Sequence, residues 1–154
     1  MEPLGQDAAT NSVRGQAAVV TGAGRGIGRA IALALGDAGA RVAVCARYED
    51  QISDTARETV ARDGRALAVP ADVSIRPELE HLIAQVEQAL GPVDLLVNDA
   101  GRAFPVGAIA ETDPDEWWQT MEVNARGPLY CSRAVLPSLL ARSRGRIVNV
   151  SSHA

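Results

Sequence analysis

The chain has 154 residues, 47% hydrophobic and 22% charged, with a formal net charge of -4, a balance that predicts one folded globular domain rather than a disordered chain. An acidic total with scattered arginines argues against a nucleic-acid surface, which needs a basic face, and no run reaches the roughly 18 apolar residues of a membrane span. The 15 basic residues are all Arg; there is no Lys.

The opening MEPLGQDAATNSVRG is polar and lacks the apolar stretch of a signal peptide. It predicts a flexible leader over 1–15 and a cytoplasmic protein. From residue 16, short β-branched runs alternate with longer amphipathic segments, the pattern of βαβ units around a parallel sheet. Strands are expected at 17–21 (AAVVT), 41–46 (RVAVCA), 66–70 (ALAVP), 93–98 (VDLLVN) and 146–150 (RIVNV). Their nearly continuous apolar character suits a sheet covered by helices on both faces.

Helices are expected at 27–36 and at 49–63, the second stopping at Gly64. Ser74 is placed to cap a third, whose Leu79, Leu82, Ile83, Val86 and Leu90 recur at helical spacing and predict a core face. Thr112 or Asp113 should open a long helical region to about residue 143, with Pro114 at a position early helix turns tolerate. Gly127, Pro128 and Pro137 predict a kink or break within it. Trp117 and Trp118 point about 100° apart on a helix, so one is expected in the core and the other against apolar surface or a partner subunit. Cys45 and Cys131 read as small core residues, without the spacing of a zinc site or a disulfide framework.

Between the first strand and the first helix stands TGAGRGIG, 21–28. The usual dinucleotide spacing G-x-G-x-x-G does not fit; T-G-x-x-x-G-x-G does. Glycines let the main chain approach a diphosphate without Cβ clashes, and unpaired helix N–H groups attract its charge. A Walker A loop is excluded because no Lys follows the last glycine. At the end of the second strand an acidic residue would hydrogen-bond a ribose 2′-hydroxyl, but the chain has Ala46 and Arg47 there. Arg47 can face a 2′-phosphate, with Arg25 placed to help. One charge-assisted contact contributes about 1.5 to 3 kcal/mol, which favours NADP(H) and leaves NAD(H) as the alternative.

In sum these motifs resemble the short-chain dehydrogenase/reductase family. TGAGRGIG resembles its cofactor loop. Asp72, in ADVS, matches the position whose side chain meets the adenine ring. Asn98-Asp99-Ala100-Gly101 resembles the NNAG motif that closes the fourth strand, supports the sheet and lines the cofactor site. Asn124, in VNARG, matches the helical Asn of the catalytic tetrad, and Ser152, the second serine of RIVNVSS, matches the catalytic Ser. The cofactor residues implied are therefore Thr21, Gly22, Gly24, Arg25, Gly26, Ile27, Gly28, Arg47, Asp72, Val73, Asn98, Ala100 and Gly101. Each match has a plainer counterpart: Asp72 as a helix cap, Asn98 as a strand-end turn, Asn124 as a polar residue at a kink, Ser152 as a loop serine. Asp99 departs from NNAG; its carboxylate either weakens phosphate affinity or hydrogen-bonds a sugar or a backbone N–H.

The resemblance implies a Rossmann-type doubly wound parallel sheet, cut after its fifth strand, and 16–154 as the N-terminal part of one NAD(P)-binding domain. It also implies hydride transfer between nicotinamide and a small carbonyl or alcohol substrate. A Tyr serves there as general acid/base, its pKa lowered by a Lys one helical turn later; Ser holds the carbonyl oxygen and Asn supports a proton relay. An unassisted Tyr, with pKa near 10, is a poor proton donor at neutral pH. One turn after Tyr48 and Tyr130 stand Ile52 and Ala134, so neither qualifies, and the family's Tyr would fall beyond Ala154. The expectation is a reductase portion inactive by itself, with RIVNV as an exposed edge; the whole protein is expected to be a homodimer or homotetramer. The alternatives are a non-catalytic NADP(H)-binding module and a truncated gene product. No metal site is expected. Substrate preference has only the loop 102–113 to speak for it, where Phe104 and Val106 hint at an apolar carbonyl compound.

Overall fold

Small and β-branched apolar residues build the sheet. In this computed structural model, which describes residues 12–103, 105 and 107–152, β1 (Ala17–Thr21) is buried along its whole length. A strand with helices on both faces has no exposed side. Around it run β2 (Arg41–Ala46), β3 (Arg65–Pro70), β4 (Val93–Asn98) and β5 (Arg146–Asn149). All pairs are parallel, in the order β3-β2-β1-β4-β5. The chain order reverses between β1 and β4, where a doubly wound sheet opens a crevice at its carboxyl ends.

Successive side chains of a strand face opposite ways, and two cores result. Val19, Cys45 and Leu96 pack with Leu79, Leu82 and Val86 of α3 (Arg76–Leu90) and with Cys131 and Val135 of α5 (Gly127–Ala141). On the other face, Val20, Val44 and Val97 pack with Ala32 of α1 (Gly26–Asp37) and Ile52 of α2 (Glu49–Ala61). All five apolar residues of the expected α3 stripe are buried. Ser74 does not cap that helix: Ile75 holds the cap position, and the Ser74 hydroxyl instead donates to Asp72 Oδ1 at 2.7 Å.

Asp113 is the residue that opens α4 (Pro114–Met121), its Oδ1 accepting the Asp115 N–H at 2.8 Å. The long helical region is not interrupted by a turn. A π-helical segment, Glu122–Arg126, joins α4 to α5, and the Gly127 N–H donates to Glu122 O across the junction. Neither tryptophan enters the core. Thr120 is the one buried residue of α4, so Trp117 and Trp118 lie on its outer arc, 36% and 57% exposed, stacked with ring centroids 6.2 Å apart.

Of the expected leader, residues 1–11 lie outside the described residues. Val13 packs against the second core, and the Gly15 N–H donates to Gly39 O at 2.8 Å. At the amino end of the sheet, buried Asp94 accepts from Ala17 N–H (3.1 Å), Arg142 Nη1 (2.7 Å) and Arg144 Nη2 (2.9 Å). Burial alone would raise its pKa; the two guanidiniums and the Ala17 N–H outweigh that and hold the carboxyl below the usual range. β5 is a sheet edge among the described residues, with Val148 and Val150 exposed. No described helix is long and apolar enough to cross a membrane.

Candidate cofactor-binding site

At the carboxyl end of β1 the chain must turn inside a space with no room for side chains. Gly22 has φ +69°, and a Cβ there would sit 2.8 Å from the backbone of Ala100. A Cβ on Gly28 would lie 2.6 Å from Asp99 Oδ2. Only glycine permits this closeness of the loop to the end of β4. Thr21 fixes the arrangement from below: its buried hydroxyl accepts the N–H groups of Asp99 and Ala100, both at 3.1 Å. Ala23 N–H donates to Cys45 O at 3.0 Å, and Thr55 of α2 donates to Ala23 O at 3.0 Å, so β2 and α2 hold the loop as well.

The N-terminus of α1 opens onto a cleft of about 320 Å³. Arg25 at its cap makes no side-chain cap bond, and its first turn carries no acid; the Asp99 carboxylate, from the end of β4, faces the Gly28 N–H, and the N–H groups ahead of it open to an outside anion. The cleft walls include Gly22, Gly24, Arg25, Gly26, Ile27, Arg47, Asp72, Val73, Ala100 and Gly101, ten of the residues expected from sequence. Asp72 is fixed by the Ser74 N–H and hydroxyl. The Arg47 guanidinium lies 5.6 Å from the centroid of the Tyr48 ring. Glycine cradle, the open N–H groups at the start of α1 and the two cleft arginines form a donor set that fits an anionic dinucleotide.

Five expected site residues do not line this cleft. Thr21 and Gly28 act from behind it, as described. Asn98 is buried, donates from Nδ2 to Asn149 Oδ1 at 2.8 Å, and leaves Oδ1 without a partner among the described residues. Asn124, in the π-helical segment, uses both ends of its amide on one residue: Oδ1 accepts the Arg102 N–H and Nδ2 donates to Arg102 O, each at 2.8 Å. Ser152 is exposed and lies past the carboxyl end of β5, whose line Val150 continues by donating to Asn98 O at 2.9 Å. Phe104 and Val106 lie outside the described residues.

Asp99 lines the cleft, as the NDAG stretch implies, and Tyr48, Gln51, Arg102 and Val123 line it as well. For Tyr48 and Gln51 a signal existed, since positions three apart at the start of a helix share a face. Val123 had none, because the π-helical segment that turns it inward was not legible. The Asp99 carboxyl is raised above its usual pKa, foremost by burial, with the Gly28 N–H acting in the opposite direction. Among the described residues, no group of His, Cys, Asp and Glu could hold a metal ion.

A glycine-walled cleft at the reversal point of a parallel sheet defines a nucleotide-binding α/β protein. The chain matches the short chain dehydrogenase family over residues 16–154 and belongs to it. It is 43% identical over 141 residues to a short chain dehydrogenase of Pseudocercospora fijiensis, covering 91% of this chain and 46% of that one. It is 38% identical over 135 residues to an uncharacterized oxidoreductase of Staphylococcus aureus, covering 88% and 57%. The chain thus spans about half the length of the curated relatives it matches. Among solved structures, a metagenomic short-chain oxidoreductase in complex with NADP superposes with a TM-score of 0.88 at 41% identity, over 94% of this chain and 65% of that one. An actinorhodin polyketide ketoreductase variant with NADPH gives 0.86 at 42% identity, over 89% and 53%.

Proposed function

We infer that these residues form the cofactor-binding portion of an NADP(H)-dependent oxidoreductase acting on a small carbonyl or alcohol substrate. The observation that carries this reading is the cleft itself: the α1 N-terminus opening between glycines, with Arg25 and Arg47 among its lining residues. The NADP and NADPH complexes of the two similar structures support it, and NAD(H) is the alternative cofactor.

The α1 N–H groups and the glycine loop receive the diphosphate, Arg47 and Arg25 favour a 2′-phosphate, and Asp72 and Val73 border the base. When bound, the nicotinamide supplies or accepts the hydride. Asn124 acts as a positioning residue that fixes the backbone at Arg102, and Ser152 holds the substrate oxygen in the whole protein. Within the 154 residues no Lys accompanies either Tyr, so this portion binds cofactor without turning it over. The alternative reading is a non-catalytic NADP(H)-binding module. For the whole protein we propose a homodimer or homotetramer; Leu129, Leu136 and Leu140, exposed on α5, are apolar surface suited to a subunit contact.

Fluorescence titration of the purified chain with NADPH and NADH tests the reading. Saturable binding, tighter for NADPH, supports it, whereas no binding of either overturns it. Carbonyl reduction by the 154-residue chain itself would refute the assignment of turnover to residues outside it.

A further inference from the structure

Asp99 stands in the cleft wall where the α1 N-terminus opens. Its carboxylate reaches to 2.6 Å from where a Gly28 Cβ would be and faces the Gly28 N–H, while its own N–H is held by Thr21. An acid at a helix N-terminus is stabilised there, but this one shares the end of the helix with the surface that receives an anionic ligand. The other charged or titratable groups of the cleft are Arg25 ahead of α1, Arg47 and Tyr48 after β2, Asp72 after β3 and Arg102 after β4; the π-helical segment presents apolar Val123. Among the described residues none of these is hydrogen-bonded or ion-paired to Asp99. Asp72 is engaged by Ser74, Arg102 by Gln119, and Arg47 lies over the Tyr48 ring. The carboxylate is thus bonded to no guanidinium of the cleft and faces only the Gly28 N–H.

Building on the cofactor reading above, we propose that Asp99 makes dinucleotide binding proton-linked: an anionic cofactor entering the cleft meets a like charge, and binds more tightly once Asp99 takes up a proton. Burial disfavours the charged form of Asp99 and outweighs the opposing Gly28 N–H. The sign is fixed by linkage: a ligand that raises a carboxyl's pKa binds with proton uptake, and its affinity falls as pH rises.

The test is NADPH and NADH titration of the 154-residue chain and its Asp99→Asn variant, an isosteric change, from about pH 5 to about pH 8.5, spanning carboxyl groups raised from their usual range. NADH has no 2′-phosphate to titrate, so its pH dependence is the cleaner reading of Asp99. The expected ratio of wild-type to variant Kd grows with pH and reaches about two- to fivefold at the alkaline end, the scale of one screened charge contact. Calorimetry of the wild type in buffers of different ionisation enthalpy should show proton uptake on NADH binding, independently of whether the variant folds. A ratio that does not change with pH, weaker binding by the variant throughout, or no proton uptake overturns the proposal while leaving the cofactor reading intact. Failure of the wild type to bind either dinucleotide overturns both.

Discussion

Asn124 grips Arg102 by both backbone groups, the N–H and the carbonyl, in two hydrogen bonds of 2.8 Å. The pair spans the cleft's far wall, linking the π-helical segment to the stretch that follows β4. A side chain spent in this way sets the position of Ala100 and Gly101 rather than reaching into the cleft.

Replacing Asn124 by Ala leaves both groups of Arg102 without those bonds. The expected loss is about 1 to 3 kcal/mol of stability, read by urea unfolding, together with weaker NADPH binding. Asn124→Asp keeps the acceptor for the Arg102 N–H but sets a carboxylate against Arg102 O, so it should be no better than Ala. An Asp variant as stable as the wild type would show that the contact with the Arg102 carbonyl contributes nothing.

Arg47 is expected to carry the preference for a 2′-phosphate. Arg47→Ala should weaken NADPH binding by about tenfold to a hundredfold, the equivalent of one charge-assisted hydrogen bond, and change NADH binding by less than about twofold. Parallel titrations of the two cofactors check this, and equal losses for both would assign Arg47 a structural task instead.

Gly28→Ala places a methyl group 2.6 Å from Asp99 Oδ2. The loop or the carboxylate must shift, at a cost of about 1 to 3 kcal/mol, and NADPH binding should fall at least about tenfold. Thermal unfolding with and without NADPH separates the two effects: the stability loss appears in both, the binding loss as a smaller ligand-induced rise in Tm.

Asp94 governs acid stability. Its pKa is lowered in the folded chain, so its contribution is present in full above the unfolded carboxyl value and is lost as pH falls through the folded one. Unfolding free energy should therefore decline below about pH 4. Asp94→Asn should cost about 1 to 3 kcal/mol at neutral pH and flatten part of that decline, as measured by denaturant titrations across the acid range.

Where one physical rule decided the outcome, the sequence was readable. The apolar runs became the strands, β1, β2 and β4 because a strand covered on both faces is apolar almost throughout, and the Leu79-to-Leu90 stripe became the buried face of α3. The glycine loop was legible from spacing, since close backbone approach leaves glycine as the sole option. Other features depended on which of two local solutions the tertiary packing favoured. Asp72 drew Ser74 away from the helix cap. Around Gly127 and Pro128 the chain widened into a π-helical segment rather than breaking, and Gly127 fits against Val73, where a Cβ would be 2.8 Å from Cγ2. The tryptophans stayed outside because Thr120 took the inward arc of α4. Nothing in NDAG by itself showed that the Asp99 carboxylate would turn towards Gly28.

Cys45 and Cys131 are both free, buried in the same core, and pushed up to about 12 chiefly by that burial. Thiol reagents attack the thiolate, so both sulfurs, buried in the core, should react slowly at neutral pH while β2 and α5 stay packed. The chain thus carries a chemical clock for its own opening: the rate at which an aromatic disulfide or a maleimide labels the two sulfurs measures how often the core comes apart. A dinucleotide seated across the ends of β1, β2 and β4 should slow that clock in proportion to its occupancy, turning a packing detail into a binding assay that needs no turnover.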